Sequence, residues 1–214
     1  NGRWWLGYFR KSIKILIMKI SRNIFILIFL YFSLINYSWS QSASEFIGSV
    51  TSEASNVLSS KLTDEEKIVQ LKKIGENSVD IDGVGLYTLG KYRKTLSNDQ
   101  KNQYKELFRN YFLKSFSGRL VGYSDAKIAV LSEEIKNEKY TIVYTKLIGT
   151  SDRPEVKIDW RVYTKDPEKP LIRDLIIEGL SLARTQKEEF NSIILNNDGN
   201  IQALFENLNK FLEN

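Results

Sequence analysis

The sequence predicts an α+β fold, with helices at both ends of the domain and an antiparallel sheet between them. Over residues 43–120, and again after residue 179, apolar side chains recur at the spacing of amphipathic helices. Between these blocks the period changes to two, which is typical of strands. A block of helices followed by strands and then by further helices is typical of α+β domains. With 42% hydrophobic and 27% charged residues, the chain has the composition of a globular protein with one sizeable core.

Residues 1–40 are expected to lie outside this domain as an export leader. Lys19 and Arg22 precede residues 24–35, which are almost purely apolar, and small residues then follow at 38–40. This order of segments is typical of a cleavable secretory signal peptide. The apolar run is short for a membrane-crossing helix, which needs roughly 20 residues.

The start and the cleavage site of the leader follow from two further features. Met18 is the only methionine and stands just before the leader, so we expect translation to begin there and residues 1–17 to be an upstream extension. We expect cleavage near Ser40, which leaves residues 41–214 as a single domain.

The charge distribution argues against a nucleic-acid partner. The net charge is +5, but residues 1–40 contain six basic and no acidic residues, so residues 41–214 hold 25 basic and 26 acidic residues and sum to −1. The chain contains no cysteine and no histidine. The domain therefore has no disulfide, and it lacks the usual ligands for zinc, copper and haem and the commonest general base.

Four helices are predicted before the sheet. Apolar spacing indicates the first over residues 43–60, and Thr63 with Glu66 forms a capping box that begins the second. The third spans 79–89 and ends at Gly90, which can adopt the left-handed conformation that closes a helix. The fourth and longest begins at the capping box Ser97/Gln100, ends near Gly122 and has an apolar stripe of Tyr104, Leu107, Phe108, Tyr111, Phe112, Phe116 and Leu120.

Four strands and two C-terminal helices are predicted after it. The strands are 127–135, 140–147, 155–164 and 171–178, with turn signals at Asn137-Glu138, Ser151-Asp152 and Asp166-Pro167. The third strand alternates most clearly, with Val156, Ile158, Trp160 and Val162 on a dry face and Lys157, Asp159, Arg161 and Tyr163 on a wet one. Helical spacing returns after Gly179, breaks at 196–199 and resumes at Ile201.

No catalytic motif and no metal site emerge from the residues. Asp159, Asp174 and Glu178 lie among apolar strand residues and could face inward, where pairing with Arg161 or Arg173 is the favoured role. An acid and base role for these carboxylates is the alternative. The basic and aromatic residues 91–94 either contact phosphate or form a solvated helix end.

Two stretches resemble a known family. Residues 89–94 (LGKYRK) precede the capped aromatic helix, and residues 158–162 (IDWRV) are followed by 174–182 (DLIIEGLSL). Together they resemble the MlaC family, also described as toluene-tolerance or Tgt2-like periplasmic lipid-binding proteins, and the likeness extends over 43–213. One departure is Arg93, where the family often has tryptophan.

The resemblance implies a phospholipid carrier without catalytic activity. Its fold would consist of helices packed over a curved antiparallel sheet of about four strands, enclosing an apolar lipid cavity. In the family, the carrier shuttles phospholipid through the periplasm and so maintains the lipid asymmetry of the outer membrane. The implied partners are the substrate-binding component of an inner-membrane ABC transporter and an outer-membrane lipoprotein–porin complex. We expect a monomer with phospholipid as its cargo and no cofactor.

The residues predicted to contact lipid come from the long helix and from the apolar positions of the strands. A packed core and a lipid cavity give the same apolar periodicity, and only the resemblance favours the cavity. The predicted lining residues are Tyr111, Phe116, Val130, Ile142, Tyr144, Trp160, Val162, Leu175 and Ile177.

Three other functions stay open at this point. A carrier of hopanoids or other sterol-like lipids would differ only in cavity shape. An enzyme would need a polar, water-filled pocket around carboxylates such as Asp159 or Asp174. A structural interaction protein would have a fully packed interior.

Overall fold

A computed structural model describes residues 41–123, 126–149 and 154–214, and confirms the α+β class. The expected leader in 1–40 and the turn signal at Ser151-Asp152 lie outside these ranges. Six α-helices are described: α1 (Ala43–Leu58), α2 (Asp64–Ser78), α3 (Ile81–Thr88), α4 (Asn98–Leu120), α5 (Leu182–Leu195) and α6 (Ile201–Glu213). Five strands form one sheet: β1 (Ile128–Asn137), β2 (Tyr140–Leu147), β3 (Val156–Tyr163), β4 (Leu171–Ile177) and β5 (Leu180–Ser181). None of the helices in these ranges is long and apolar enough to cross a membrane.

The sheet is an antiparallel meander in the order β1-β2-β3-β4-β5. The sequence predicts four strands, and the fifth is a two-residue strand added by a tight turn after β4. Glu178 and Gly179 both have positive φ, 47° and 83°, which matches the twist that a two-residue hairpin requires. A strand this short has no detectable period, so the alternation of side chains could not reveal it.

Capping boxes begin three of the helices. At Thr63 the hydroxyl accepts the Glu66 amide at 3.3 Å, while the Thr63 amide donates to the Glu66 carboxylate at 2.9 Å. Ser97 and Gln100 repeat this arrangement at the start of α4, as predicted. A third box, Ser42 with Glu45, begins α1. Each cap stabilises its helix by about 1 kcal/mol.

The two faces of the sheet differ as the alternation in β3 predicts. We call the face that packs against α1 the inner face, and its buried residues are Val143, Ile158, Trp160, Val162 and Ile172, which contact Ala43 and Ile47 of α1. The opposite, outer face presents Lys157, Asp159, Arg161 and Tyr163, none of which is fully buried. Most of the buried apolar residues of the strands therefore lie on the inner face.

A separate aromatic core holds α3, α4, α5 and α6 together. Tyr104, Phe108 and Phe205 are almost fully buried, and the Tyr104 ring stacks on the other two with centroids 5.8 and 6.2 Å away. The Tyr104 hydroxyl is 2.7 Å from the hydroxyl of buried Thr88, so its polar end has a partner. Burial raises the pKa of Tyr104 well above its usual range.

The helices join the sheet at the start of β4. The sequence predicts a helix over 79–89, but it begins at Ile81 because Asp80 caps it, accepting the Gly83 amide at 2.9 Å. Val79 is instead extended and pairs in parallel with Ile172, and the Asp80 amide donates to the Ile172 carbonyl at 2.9 Å. The helix ends as predicted, before Gly90 with φ of 56°.

Close packing between α3 and α4 makes Gly85 a sensitive position. A Cβ added there would lie 2.7 Å from Cδ1 of buried Phe108, so Gly85→Ala is expected to destabilise the domain by about 1–3 kcal/mol. Gly118 of α4 is the matched control, because an added Cβ meets nothing within 4 Å. Gly118→Ala is expected to raise the free energy of unfolding by about 0.5–1 kcal/mol. Urea unfolding followed by circular dichroism measures both, and equal effects would contradict this packing.

Candidate functional site

The strand register aligns a row of side chains across the whole inner face. Val130, Thr145, Ile158, Ile177 and Leu180 are successive partners from β1 to β5. Ile128, Leu147 and Val156 form a second, parallel row next to it. Partners in an antiparallel sheet share a face, so these side chains form one surface. We call the seven apolar members of the two rows the apolar strip: Ile128, Val130, Leu147, Val156, Ile158, Ile177 and Leu180.

The apolar strip is only partly covered. Helix α1 packs mainly on β1 and β2, at one side of the inner face. On the other side Val156 and Ile177 are half-buried, and Leu180 is 59% exposed. No charged side chain belongs to either row. A contiguous apolar surface that is half open is suited to contact an apolar ligand or partner.

The polar atoms within the inner face have partners. The Trp160 indole N–H donates to the Thr145 hydroxyl at 2.9 Å, and that hydroxyl donates to the Ile158 carbonyl at 2.7 Å. Trp160 and Thr145 are both buried. Because these groups form hydrogen bonds within the protein, no ordered water is required to satisfy them under the apolar strip.

The nine residues predicted to line a lipid cavity lie in three places. Val130, Trp160, Val162, Leu175 and Ile177 are on the inner face. Trp160 and Val162 are buried there at 8% and 0% exposure, whereas Val130 is 37% exposed.

Ile142 and Tyr144 are on the outer face, which corrects their predicted position on the dry face. Their register partners are Arg161 and Asp159, and these belong to the wet side of β3. The sequence of β2 has apolar residues at both alternating sets of positions, Ile142 and Tyr144 in one set and Val143 in the other. The alternation of side chains in β2 therefore does not show which of the two sets lies on the inner face.

Tyr111 and Phe116 lie in the helical layer, away from the strip residues. The Tyr111 hydroxyl donates to the Gln186 side chain at 2.9 Å, and its ring centroid is 4.8 Å from that of Phe211. Phe116 stacks on Phe112 at 5.6 Å. The structure thus does not gather the nine residues around one cavity. The predicted lining set left out five strip residues: Ile128, Leu147, Val156, Ile158 and Leu180. The alternation in β3 places Val156 and Ile158 on the dry face, whereas the other three are identified by the register of neighbouring strands.

Two of the strand carboxylates identified in the sequence, Asp174 and Glu178, have different surroundings. Asp174 is 5% exposed and accepts hydrogen bonds from the Ser181 hydroxyl at 2.6 Å and the Ala183 amide at 3.0 Å. The Arg161 guanidinium is 3.5 Å away, which agrees with the predicted pairing. With its oxygens engaged, Asp174 fastens β4 to the start of α5. Glu178 is exposed and accepts the Lys157 amide at 2.5 Å.

A cleft opens on the outer face, which we call the outer cleft. Its volume is about 610 Å³. Residues of α3, α5 and four strands line it: Gly83, Val84, Tyr87, Lys136, Asn137, Tyr140, Ile142, Tyr144, Asp159, Arg161, Arg173, Ile176 and Ala183. At its rim Lys136 pairs with Glu134 at 2.6 Å and lowers the pKa of that carboxyl. The hydrogen bond to Glu134 at 2.7 Å raises the pKa of the Tyr144 hydroxyl.

Among the described residues, no group of three or more acidic side chains is placed to hold a metal ion. The basic residues of 91–94 lie in a short 3-10 helix, Gly90–Lys94, and none of them lines the outer cleft.

Asp174→Ala is expected to lower the free energy of unfolding by about 1.5–3 kcal/mol, because a charged acceptor is removed and the Ala183 amide is left buried without a partner. Asp82→Ala is the matched control, since Asp82 pairs with Lys105 and Arg109 at a half-exposed position. That surface change is expected to cost about 0–1 kcal/mol. Urea denaturation compares the two, and equal losses would show that Asp174 does not fasten β4 to α5.

Comparison with known proteins supports the resemblance noted in the sequence. A family model described as "MlaC protein" matches residues 49–210. The solved structure of a phospholipid-binding protein from Ralstonia solanacearum, in complex with a phospholipid, superimposes with a TM-score of 0.69. The alignment covers 81% of this chain and 98% of that one, at 16% sequence identity, which establishes a shared fold. Because the family model spans most of the domain, the chain belongs to the MlaC family.

Proposed function

We propose that this chain is a periplasmic phospholipid carrier that holds the acyl chains of its cargo against the apolar strip. The observation that supports this most directly is the half-open strip itself, which continues across five strands without a charged side chain. Family membership and the bound phospholipid in the Ralstonia solanacearum protein support the same ligand class.

The energetics of lipid transfer explain why such a surface is needed. Two acyl chains have on the order of 30 methylenes, each worth ~0.8 kcal/mol when removed from water, so a free phospholipid faces a barrier above roughly 20 kcal/mol. A carrier lowers this barrier by covering the chains with an apolar surface. It must not bind them far more tightly than a bilayer does, or delivery would stop. Burial and dispersion against the apolar strip, with the head group left in solvent, would meet both requirements.

In this proposal the chain exchanges lipid with two membrane complexes and catalyses no reaction. The partners are the substrate-binding component of an inner-membrane ABC transporter and an outer-membrane lipoprotein–porin complex, and the outcome is a maintained lipid asymmetry of the outer membrane. The predicted leader in residues 1–40 would direct the chain to the periplasm. Of the residues predicted from the sequence, we retain Val130, Trp160, Val162, Leu175 and Ile177 as candidates for lipid contact.

Native mass spectrometry of the exported protein tests the carrier function. The full chain is expressed with export to a bacterial periplasm and purified without added lipid. The expected result is a discrete mass increase equal to one phospholipid, which disappears after extraction with organic solvent. A folded protein that stays empty, even after incubation with phospholipid vesicles, would contradict the proposal.

Ile177→Glu tests the location of the acyl chains. The substitution places a charge in the apolar strip at a half-buried position, and an unpaired charge next to acyl chains is strongly unfavourable. The fraction of protein with bound lipid is expected to fall roughly tenfold or more. Leu195→Glu, at an exposed position near the end of α5, is the control for the added charge and is expected to retain lipid. Equal lipid retention by both folded variants would place the acyl chains elsewhere.

A further inference from the structure

The turn between α3 and α4 contains three cations and no acid. Residues 83–98 include Lys91, Arg93 and Lys94 but neither aspartate nor glutamate. These three residues lie in the 3-10 helix Gly90–Lys94, and all of them are exposed. The sequence leaves open whether they contact phosphate or form a solvated helix end, and the carrier function makes no use of them. Their surroundings in the fold favour contact with phosphate.

Buried side chains hold this turn in place. Leu89 is fully buried and Leu96 is 7% exposed, so both ends of the turn are fastened to the core of the helical layer. Tyr92 is half-buried against the same core, and its amide donates to the Leu89 carbonyl at 3.1 Å. Because the three apolar and aromatic residues face inward, the cationic side chains are left on the outside of the turn.

A fourth cation reaches the same turn from α5. Cε of Lys187 is 3.1 Å from the position that a Cβ on Gly90 would occupy. The Lys187 ammonium lies 5.3 Å from the centroid of the Tyr87 ring, and the Lys91 ammonium lies at the same distance from the Tyr92 centroid. Two elements that are distant in sequence therefore place their cations together. We call this set the basic corner: Lys91, Arg93, Lys94 and Lys187.

No carboxylate pairs with the basic corner within the described ranges. None of its four residues takes part in the ion pairs formed there. Asp82, before the turn, is paired with two cations of α4, and Asp99 lies in the first turn of α4, where the helix dipole favours it. In α5, Glu189 accepts a hydrogen bond from the Gln186 side chain at 2.9 Å, and Glu188 offsets at most one of the four charges. The corner therefore keeps an excess of positive charge.

A broad anionic surface fits the basic corner better than a small anion does. A small ligand needs polar groups that converge in a pocket. None of the four residues lines the outer cleft or the groove between α2, α4 and α6. A bilayer with anionic lipids presents negative charge over a wide area, and each Lys or Arg held near it strengthens binding roughly fivefold.

The rest of the domain makes this attraction directional. Residues 41–214 sum to a charge of −1, so the domain as a whole is not drawn to an anionic surface. A single basic corner on such a domain turns that corner toward the surface. Because no large apolar side chain of residues 89–97 is exposed, the contact is electrostatic and does not involve insertion into the bilayer.

We propose that the basic corner docks the domain on the surface of an anionic bilayer. Exposed Lys and Arg side chains donate there to lipid phosphates, and the contact removes no lipid from the bilayer. The inference does not depend on the carrier function, because charge holds the domain at the surface and the apolar strip takes no part.

Sedimentation with vesicles tests the docking. The exported protein is mixed at low ionic strength with vesicles of phosphatidylcholine, with or without phosphatidylglycerol. Binding is expected to be roughly tenfold or more tighter with phosphatidylglycerol, and added sodium chloride is expected to release the protein. Equal binding to both vesicles, or binding that survives high salt, would overturn the proposal. So would a folded protein that binds neither vesicle, and an acidic protein segment would then be the partner that fits the corner.

Two triple variants assign the contact to the basic corner. The first combines Lys91→Gln, Arg93→Gln and Lys94→Gln, and is expected to weaken binding to phosphatidylglycerol vesicles roughly a hundredfold. The matched control removes three exposed lysines at one end of the sheet, each next to an acid in the chain: Lys139→Gln, Lys165→Gln and Lys169→Gln. The control changes the net charge equally and is expected to keep binding. Residues before 41 are the same in both variants, and equal losses by the two folded proteins would overturn the assignment.

Lys187 tests whether α5 belongs to the same surface. Lys187→Gln is expected to weaken vesicle binding roughly fivefold, whereas Lys187→Arg keeps the charge and is expected to retain binding. Unchanged binding by Lys187→Gln, or equal weakening by both substitutions, would overturn the assignment of α5 to the basic corner.

Two further measurements separate docking from other kinds of binding. Glycerol 3-phosphate is expected to release the protein from vesicles no better than sodium chloride of equal ionic strength. Selective release by glycerol 3-phosphate would reveal a phosphate pocket and overturn the docking surface. Native mass spectrometry of the basic-corner triple variant is expected to show unchanged co-purified phospholipid, so failure of the docking and failure of the carrier function give different results.

Discussion

The register of five antiparallel strands is the constraint on which the rest of the molecule depends. Side chains alternate between faces with a period of two, so a slip of one residue would move the whole apolar strip to the wet side. The tight turn at Glu178 and Gly179 sets the pairing of β4 with β5. The hydrogen bond from Trp160 to Thr145 ties β3 to β2 across the inner face. The apolar strip follows from this one register.

The attachment of the helices explains how the inner face stays partly open. Val79 and Asp80 join the start of β4, and Asp174 joins the same strand to α5. The aromatic core is therefore fastened mainly at one strand, β4. Of the described helices, α1 packs most broadly on β1 and β2, at the opposite side of the sheet, and Leu180 remains exposed. An arrangement with helices fastened along several strands would have closed the gap that an apolar ligand needs.

Much of the fold was predictable because local chemistry determines it. The capping-box spacings Thr63/Glu66 and Ser97/Gln100 identified two helix starts, and the alternation in β3 identified the inner face. The position of Ile142 and Tyr144 was not predictable, because both faces of β2 have apolar residues. β5 is too short to show a period.

The site was less predictable than the fold, for a physical reason. The apolar strip depends on pairing between strands that are distant in sequence, and single-strand periodicity contains no such information. The pairing of Asp174 with Arg161 could be anticipated from their positions among apolar residues. The lack of a partner at Asp159 could not, since it depends on which neighbours from β2 and β4 surround it.

In the proposed carrier, the half-open strip would also link the lifetime of the protein to its supply of cargo. A ligand that binds only the folded state stabilises that state in proportion to the logarithm of its free concentration. An empty carrier, with Leu180 and its neighbours uncovered, would then unfold and be cleaved by proteases more often than a filled one. Cells short of transferable lipid would accordingly contain fewer copies of the chain. The abundance of the protein would then rise and fall with the supply of lipid, without a dedicated sensor.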